Sequence, residues 1–400
     1  MAFDFMRRPR KAVESGERKA SAAGPMVAWQ SAGRVAWSPR DVVTLTRTGY
    51  LGNPVAHRAV KMIVEAAAAL PLVLQDRQRR FDSHPVLALV RRPNAGQSRA
   101  EFLEALVAQL LLSGNGYVEA VMRAEAAPGE LPLELHVLRS DRIEVVPGAD
   151  GWPMAYDYVL GARRHRFDLA GPVPVICHVK NFHPQDDHYG FAPLQAAAMA
   201  VDVHNSASRW SKSLLDNAAR PSGALVWRGS DGLGVMAEDQ FRRLSEEIEE
   251  NYRGARNAGR PMVLEGGLDW KPMGFSPSDM EFQKTKEAAA REIAQAFGVP
   301  PMLLGIPGDA TYANYQEANR AFYRLTVLPL AGRVVAALSD WLMRHCGETA
   351  ELRPDLDQVP ALAAEREAQW NRVLKADFLS EAEKRALLGL PPRVRGLSDD

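Results

Sequence analysis

Four hundred residues with 46% apolar and 24% charged side chains can bury substantial cores, which excludes a disordered chain. That length fits two or three compact units, or one elongated chain of several parts. Forty-nine Lys and Arg balance 49 Asp and Glu, and zero formal net charge argues against a dedicated nucleic-acid binder fed by basic excess.

Cys177 and Cys346 are the only cysteines. They give no disulfide framework and no Cys-based zinc site, and a reducing compartment is the simple reading. No continuous apolar run approaches the about 18 residues that a membrane span needs. The stretch Met1–Ala20 carries charges without an apolar h-region, so no signal peptide is visible.

In chain order, residues 1–39 read as a loosely ordered arm. Arg7, Arg8, Arg10 and Lys11 suit either a solvated tail or a basic arm touching nucleic acid. Asn53 as N-cap and Pro54 at the first helical position predict a helix over 54–70 that Pro71 ends, with Val55, Ala59, Met62, Ile63 and Ala66 on one face. Leu72–Leu74 reads as a short strand before a polar turn. Ser98 and Glu101 form a capping box for an amphipathic helix over 99–112, broken at Gly114. From Tyr117 the period becomes two, and strands are expected at 117–121, 133–137, 143–146, 156–159 and 175–179. Together these make an α+β unit with a mostly antiparallel sheet.

A long helix is expected from Pro193 to Leu215. A strand at 223–228, a charged helix at 237–253 and a hairpin of 261–264 with 268–273 follow. Ser276, Pro277 and Asp279 start a second long helix that runs to Phe297, with Gly298 beyond its end and Pro300-Pro301 preventing continuation. Its alanine content makes it marginal unless neighbours bury it. Residues 305–314 read as an irregular loop. A helix follows from Tyr315 to Leu328, then Pro329, then helical pattern to Met343. Ser380 and Glu383 cap a last helix that Gly389 and Pro391-Pro392 end.

The chain has no GxxxxGK[ST], HExxH or GxSxG pattern and no strand–GxGxxG–helix context. One cluster, His178, His183, Asp186, Asp187 and His188, has donors able to hold a divalent metal. The competing reading is a polar loop, because Pro184 and a strand-to-loop junction keep the donors off any single rigid face. Arg77, Arg79, Arg80, Arg91 and Arg92 suit solvated turns or phosphate contacts. Lys284, Lys286 and Arg291 alternate with acids on the second long helix, which fits i,i+4 pairing, subunit contacts or a channel face. Glu246, Glu247, Glu249 and Glu250 form the densest acidic patch, either a docking surface or a solvated helix side.

Several stretches, taken in order, resemble the phage portal protein family, in particular the branch of long-tailed phages and gene transfer agents. They are Asn53-Pro54-Val55 through Leu70-Pro71-Leu72, His84-Pro85 through Arg92-Pro93-Asn94, Gly114-Asn115-Gly116-Tyr117, and Tyr189-Gly190-Phe191-Ala192-Pro193-Leu194. The most specific is Ala296-Phe297-Gly298-Val299-Pro300-Pro301-Met302-Leu303-Leu304-Gly305 followed by Asn314-Tyr315-Gln316-Glu317-Ala318, and Leu379-Ser380 through Leu390-Pro391-Pro392 also fits. The resemblance implies a portal fold. Its parts would be a wing over 40–192 with a return helix at 317–352, stem helices at 193–218 and 276–298, and an α/β clip at 219–275. A tunnel-loop region at 299–316 and a short helical crown at 353–400 would complete it.

It further implies a structural protein, not an enzyme, without cofactor or metal: a dodecameric ring at one capsid vertex through which double-stranded DNA passes non-specifically. Its partners would be the terminase large subunit, a head–tail adaptor protein and the major capsid protein, with no membrane. It would be assembled in the bacterial cytoplasm and reside in a virion or gene transfer agent particle. Channel contacts would fall on Asp309, Thr311, Tyr312 and Asn314, with Lys284, Lys286 and Arg291 as stem candidates. Docking would use Glu246, Glu247, Glu249, Glu250 and Arg253. The alternative from the residues alone is a metal-dependent hydrolase built on His178, His183, Asp186 and His188.

Overall fold

Local capping chemistry sets the helix boundaries in the computed structural model, which describes residues 37–125, 129–216, 223–227, 238–239, 242–243, 246, 268–272, 277–308 and 312–392. Helix α1 (Val42–Leu45) runs on through a π-type turn, Thr46–Tyr50, to α2 (Pro54–Ala68). The Asn53 side chain accepts from the amides of Val55 and Ala56, closing orphan donors of α2. Strands β1 (Leu72–Gln75) and β2 (Arg80–Phe81) precede α3 (Pro85–Arg91). The reciprocal Ser98–Glu101 box opens α4 (Arg99–Ser113), and Gly114, at φ 78°, ends it.

Six strands follow: β3 (Asn115–Val121), β4 (Glu134–Leu138), β5 (Ile143–Pro147), β6 (Pro153–Leu160), β7 (Arg163–Asp168) and β8 (Ile176–Lys180). They form two three-stranded antiparallel sheets, ordered β4-β3-β8 and β5-β6-β7. Then come α5 (Pro193–Ala196), α6 (Ala198–Asp216), β9 (Gly223–Trp227), β10 (Leu268–Pro272) and α7 (Pro277–Ala296). Helix α8 (Tyr312–Phe322) continues through a π-type turn, Tyr323–Val327, into α9 (Leu328–Cys346). Strand β11 (Glu351–Pro354), α10 (Ala363–Leu374) and α11 (Glu381–Leu387) complete the described chain.

The main core joins α2, α4, α9 and the last turn of α7. Ile63, Phe102, Leu106, Ile293, Phe297, Leu338 and Trp341 lie at its centre. A second cluster, Tyr117, Leu138, Ile143, Tyr156, Phe167 and Ile176, glues the two strand sheets together. β11 returns to pair with β1, Leu74 opposite Leu352, and Arg80 seals that edge with Asp355.

Several expectations need correction. The buried face of α2 carries Ala56, Ala59, Val60, Ile63, Val64 and Ala67, so Val55, Met62 and Ala66 sit at its margin. Helices α3 and α10 and strands β7 and β11 were not expected, and the single sheet is two sheets. The helix expected from Pro193 is interrupted at Ala197, between α5 and α6.

The loop expected through Asn314 ends at Tyr312, and Pro329 does not break the helix behind it. Proline removes one i→i−4 bond and crowds that carbonyl; the π-type turn just before Pro329 widens the helix where the ring must fit. The helical span Ala313–Cys346 contains a window of mean hydropathy 1.4, long and apolar enough to cross a membrane by length and composition. Its Val334, Val335, Leu338, Trp341 and Leu342 are spent on the core. The arm over 1–36, the strand at 261–264, the Ser276 cap and most of the 237–253 helix lie outside the described residues. The described partner of β10 is β9, with Trp270 opposite Leu225.

Candidate functional site

Two long helices run side by side. Trp210 of α6 stacks on Phe282 of α7 at 4.2 Å, and the α6 histidine His204 feels Lys286, so the pair is antiparallel. Ala200 and Ala207 on α6 and Ala289, Ala290 and Ala294 on α7 are buried, and such small side chains permit close approach of packed helices.

The base of α6 is tied down by polar bonds. Asp202 accepts from the Ser38 amide at 2.9 Å and its hydroxyl at 2.6 Å. The Asn53 amide group reaches His204 Nδ1 at 3.1 Å and Asn205 Oδ1 at 2.9 Å, while Asn205 donates to the Thr48 carbonyl. Burial, and then the charge of Lys286, hold the His204 pKa below its ordinary value.

The outward face of α7 carries the expected mixture of signs. Lys284 and Arg291 are exposed and Lys286 is half-buried. Among the described residues neither lysine has a carboxylate within ion-pair distance, whereas Glu287 is engaged by Gln283 at 2.8 Å. Arg291 donates to the Pro307 carbonyl and so braces the segment after α7. That segment begins at Gly298, whose φ of +67° reverses the chain. The Thr326 hydroxyl donates to the Gly298 carbonyl at 2.6 Å, tying the end of α7 to the π-type turn. An apolar cleft of about 370 Å³ lies at this junction, between Arg291, Pro300, Phe322 and the largely exposed Leu325.

Of the four expected loop contacts, Asp309 and Thr311 lie outside the described residues. Tyr312 and Asn314 fall in the first turn of α8 instead of an irregular loop, with Asn314 exposed. Thr326 and Leu325 were missed in the sequence, because nothing local marks a turn that a residue 28 positions earlier stabilises. Glu246 is exposed; Glu247, Glu249, Glu250 and Arg253 lie outside the described residues.

The histidine cluster does not assemble. Among the described residues no group of three or more His, Cys, Asp or Glu side chains could hold a metal ion. His178, on β8, points into the second core and stacks on Tyr117 at 4.2 Å. Asn115 Oδ1 already accepts from the Gly190 amide at 2.8 Å, so His178 Nε2 is the donor to it at 3.1 Å. His178 Nδ1 then accepts the Tyr156 hydroxyl at 3.1 Å. Burial, with Lys180 second, pushes the His178 pKa down to about 3. Burial likewise raises Tyr156 to about 12.

Asp186 is occupied in a turn, accepting from the amides of His188 and Tyr189 at 2.7 and 2.9 Å, and His183 Nδ1 accepts from the Gln185 amide. Successive strand residues face opposite sides, and the loop after β8 turns away, so nearness in sequence did not become nearness in space. The metal-hydrolase alternative has no support in this arrangement.

Comparison with known proteins adds four findings. The family model described as phage portal protein matches residues 54–389. The chain is 66% identical to a chain in the neck of a native gene transfer agent particle, computed with twelvefold cyclic symmetry, covering 90% of this chain and 96% of that one at a TM-score of 0.72. It is 38% identical to an uncharacterized protein of Rickettsia bellii over 86% of this chain and 88% of that protein. A phage portal protein from Corynebacterium diphtheriae, 16% identical at a TM-score of 0.54 over 81% of this chain, shares the fold.

Proposed function

The chain belongs to the phage portal protein family, and we propose that it is the portal of a gene transfer agent or related particle, a ring of twelve copies at one capsid vertex. The observation that carries this reading is the 66% identity to a chain from a neck of twelvefold symmetry, over nearly the whole length of both.

In this reading α6 and α7 are the stem, residues 219–275 the clip, and 299–316 the tunnel-loop region. Residues 40–192 with 317–352 form the wing, and 353–400 a short crown. β11 pairs with β1, and Val359 and Leu362 enter the main core, so in this reading the crown would begin beyond Leu362.

The helix pair has the properties a conduit wall needs. Its alanine-rich contact leaves little apolar surface of its own, and neighbouring copies would complete its burial. Its outer face mixes Lys284 and Arg291 with Glu281 and Glu292, while Lys286 lies on the side turned to α6, so a passing duplex meets no continuous basic track that would hold its phosphates. Asp309, Thr311, Tyr312 and Asn314 would meet the DNA at the loop, which Arg291 braces from behind through Pro307. The acidic run Glu246, Glu247, Glu249 and Glu250, with Arg253, would offer the clip to the terminase large subunit and later to a head–tail adaptor, while the wing meets the major capsid protein.

Negative-stain electron microscopy with mass measurement on the same sample tests the reading. Rings with a central hole and a mass near twelve times 44.0 kDa are expected. A monomer at all concentrations and salts, which also fails to join the vertex when co-expressed with its capsid protein, would overturn it.

A further inference from the structure

The turn between α3 and α4 collects positive charge that nothing nearby answers. It closes on itself through an antiparallel bridge between Asn94 and Gln97. Buried Asn94 donates to Gln97 Oε1 at 2.8 Å and to the Leu135 carbonyl at 2.9 Å, and the Leu135 amide donates to the Pro93 carbonyl at 2.7 Å. The turn is therefore fixed on β4, and its closure brings together the chain before it, with Arg91 and Arg92, and the chain after it, with Arg99.

Arg91 and Arg92 are exposed and Arg99 is half-buried. Burial, and then the charge of Arg91, hold the Arg99 pKa below its ordinary value, so two guanidinium groups stand close together. Among the described residues no carboxylate lies within ion-pair distance of any of the three, whereas Arg80, Arg139, Arg164 and Arg366 each have one. The nearest acid in sequence, Glu101, is closed into the capping box by the Ser98 amide at 2.7 Å and hydroxyl at 2.8 Å.

Helix electrostatics explain part of this and not the rest. Arg91 and Arg92 end α3, where the macrodipole favours cations. Arg99 opens α4, where the dipole disfavours a cation and Arg91 repels it. Among the described residues no carboxylate offsets this cost to Arg99.

We propose that this turn is a docking site for an acidic peptide segment of a partner protein, whose carboxylates the three guanidinium groups receive. Guanidinium forks bind carboxylates in a paired geometry that a lysine cannot match. Leu133, 52% exposed, leads into β4, the strand on which the turn is fixed, two residues before Leu135. The site is one short turn, whereas a nucleic-acid duplex, with regularly spaced phosphates, would need a longer basic track. The inference does not rest on the ring reading.

The test compares the full chain with an Arg91→Gln/Arg92→Gln/Arg99→Gln variant. The probes are a fluorescent oligoglutamate peptide and a short DNA duplex, read by anisotropy at low and moderate salt. Oligoglutamate affinity should fall roughly tenfold or more in the triple variant. Arg99→Gln alone should leave thermal stability unchanged or raise it, because it removes a repulsion. Equal peptide binding by the two proteins would overturn the proposal, and so would a duplex that needs the arginines and is not displaced by oligoglutamate. A marked loss of stability in Arg99→Gln would also overturn it, by giving that residue a structural role.

Discussion

His178 makes the fold acid-sensitive in a window that can be assigned to one side chain. Its ring is enclosed by Tyr117, Tyr156 and Asn115, and burial brings its pKa from the ordinary 6.5 down to about 3. Below pH 6.5 the unfolded chain therefore binds a proton that the folded chain refuses, and stability falls as pH falls from 6.5 to about 3. Each pH unit within that window costs about 1.4 kcal/mol, so the step from pH 6.5 to pH 4.5 costs about 2–3 kcal/mol from this residue.

Carboxylates held below their ordinary range, such as Asp157 between Arg166 and Arg164, lose their contribution only at lower pH and leave this step clean. His178→Gln keeps a neutral polar group in place and should abolish the step, while His204 and His345 contribute equally to both proteins. Hydrogen exchange of the β3 and β8 amides, measured from pH 6.5 to 4.5 and corrected for intrinsic rates, reads the local opening free energy. The same slope in both proteins would refute the argument, because the buried neutral imidazole would then not be the titrating group.

Two more perturbations test the packing. Gly114 and Gly190 pack backbone to backbone, and a Cβ on Gly190 would stand 2.1 Å from the Gly114 carbonyl oxygen, so Gly190→Ala should lower the thermal midpoint sharply where Gly129→Ala, on an open turn, changes it far less. Trp341, fully buried and donating to the Pro174 carbonyl at 2.7 Å, should cost about 3–5 kcal/mol as Trp341→Ala and about 1–3 kcal/mol as Trp341→Phe in urea unfolding, the smaller figure being the orphaned carbonyl.

What could be read from the sequence follows the range of the forces involved. Caps and stops act over three or four residues, so Asn53, the Ser98–Glu101 and Ser380–Glu383 boxes and Gly298 all stand where the sequence places them. Helix α3 was hidden because His84 caps it through Nδ1, an uncommon acceptor for the Val86 amide. Strand β11 was hidden because its partner β1 lies almost the whole chain away, and four residues carry no period of their own. Pro329 misled because its usual effect assumes an ordinary α-helix, and the π-type turn ahead of it supplies the room. The histidine cluster follows the polar-loop reading: a strand buries His178 while the following turn spends Asp186 on its own backbone.

The charge balance carries a further lesson for the proposed channel. Zero net charge is a sum, and part of it cancels locally: Arg166 and Arg164 against Asp157, Arg80 against Asp355, Arg366 against Asp357. A charge paired at such short range contributes little field a Debye length away. The field that DNA would meet is set by the groups left over, and on the exposed face of α7 these include Lys284 and Arg291 beside Glu281 and Glu292. Composition alone therefore does not establish a neutral conduit; the interleaving of signs along one helix face supports it. Lys284→Glu should accordingly disturb DNA passage more than an equal change of net charge placed on the wing.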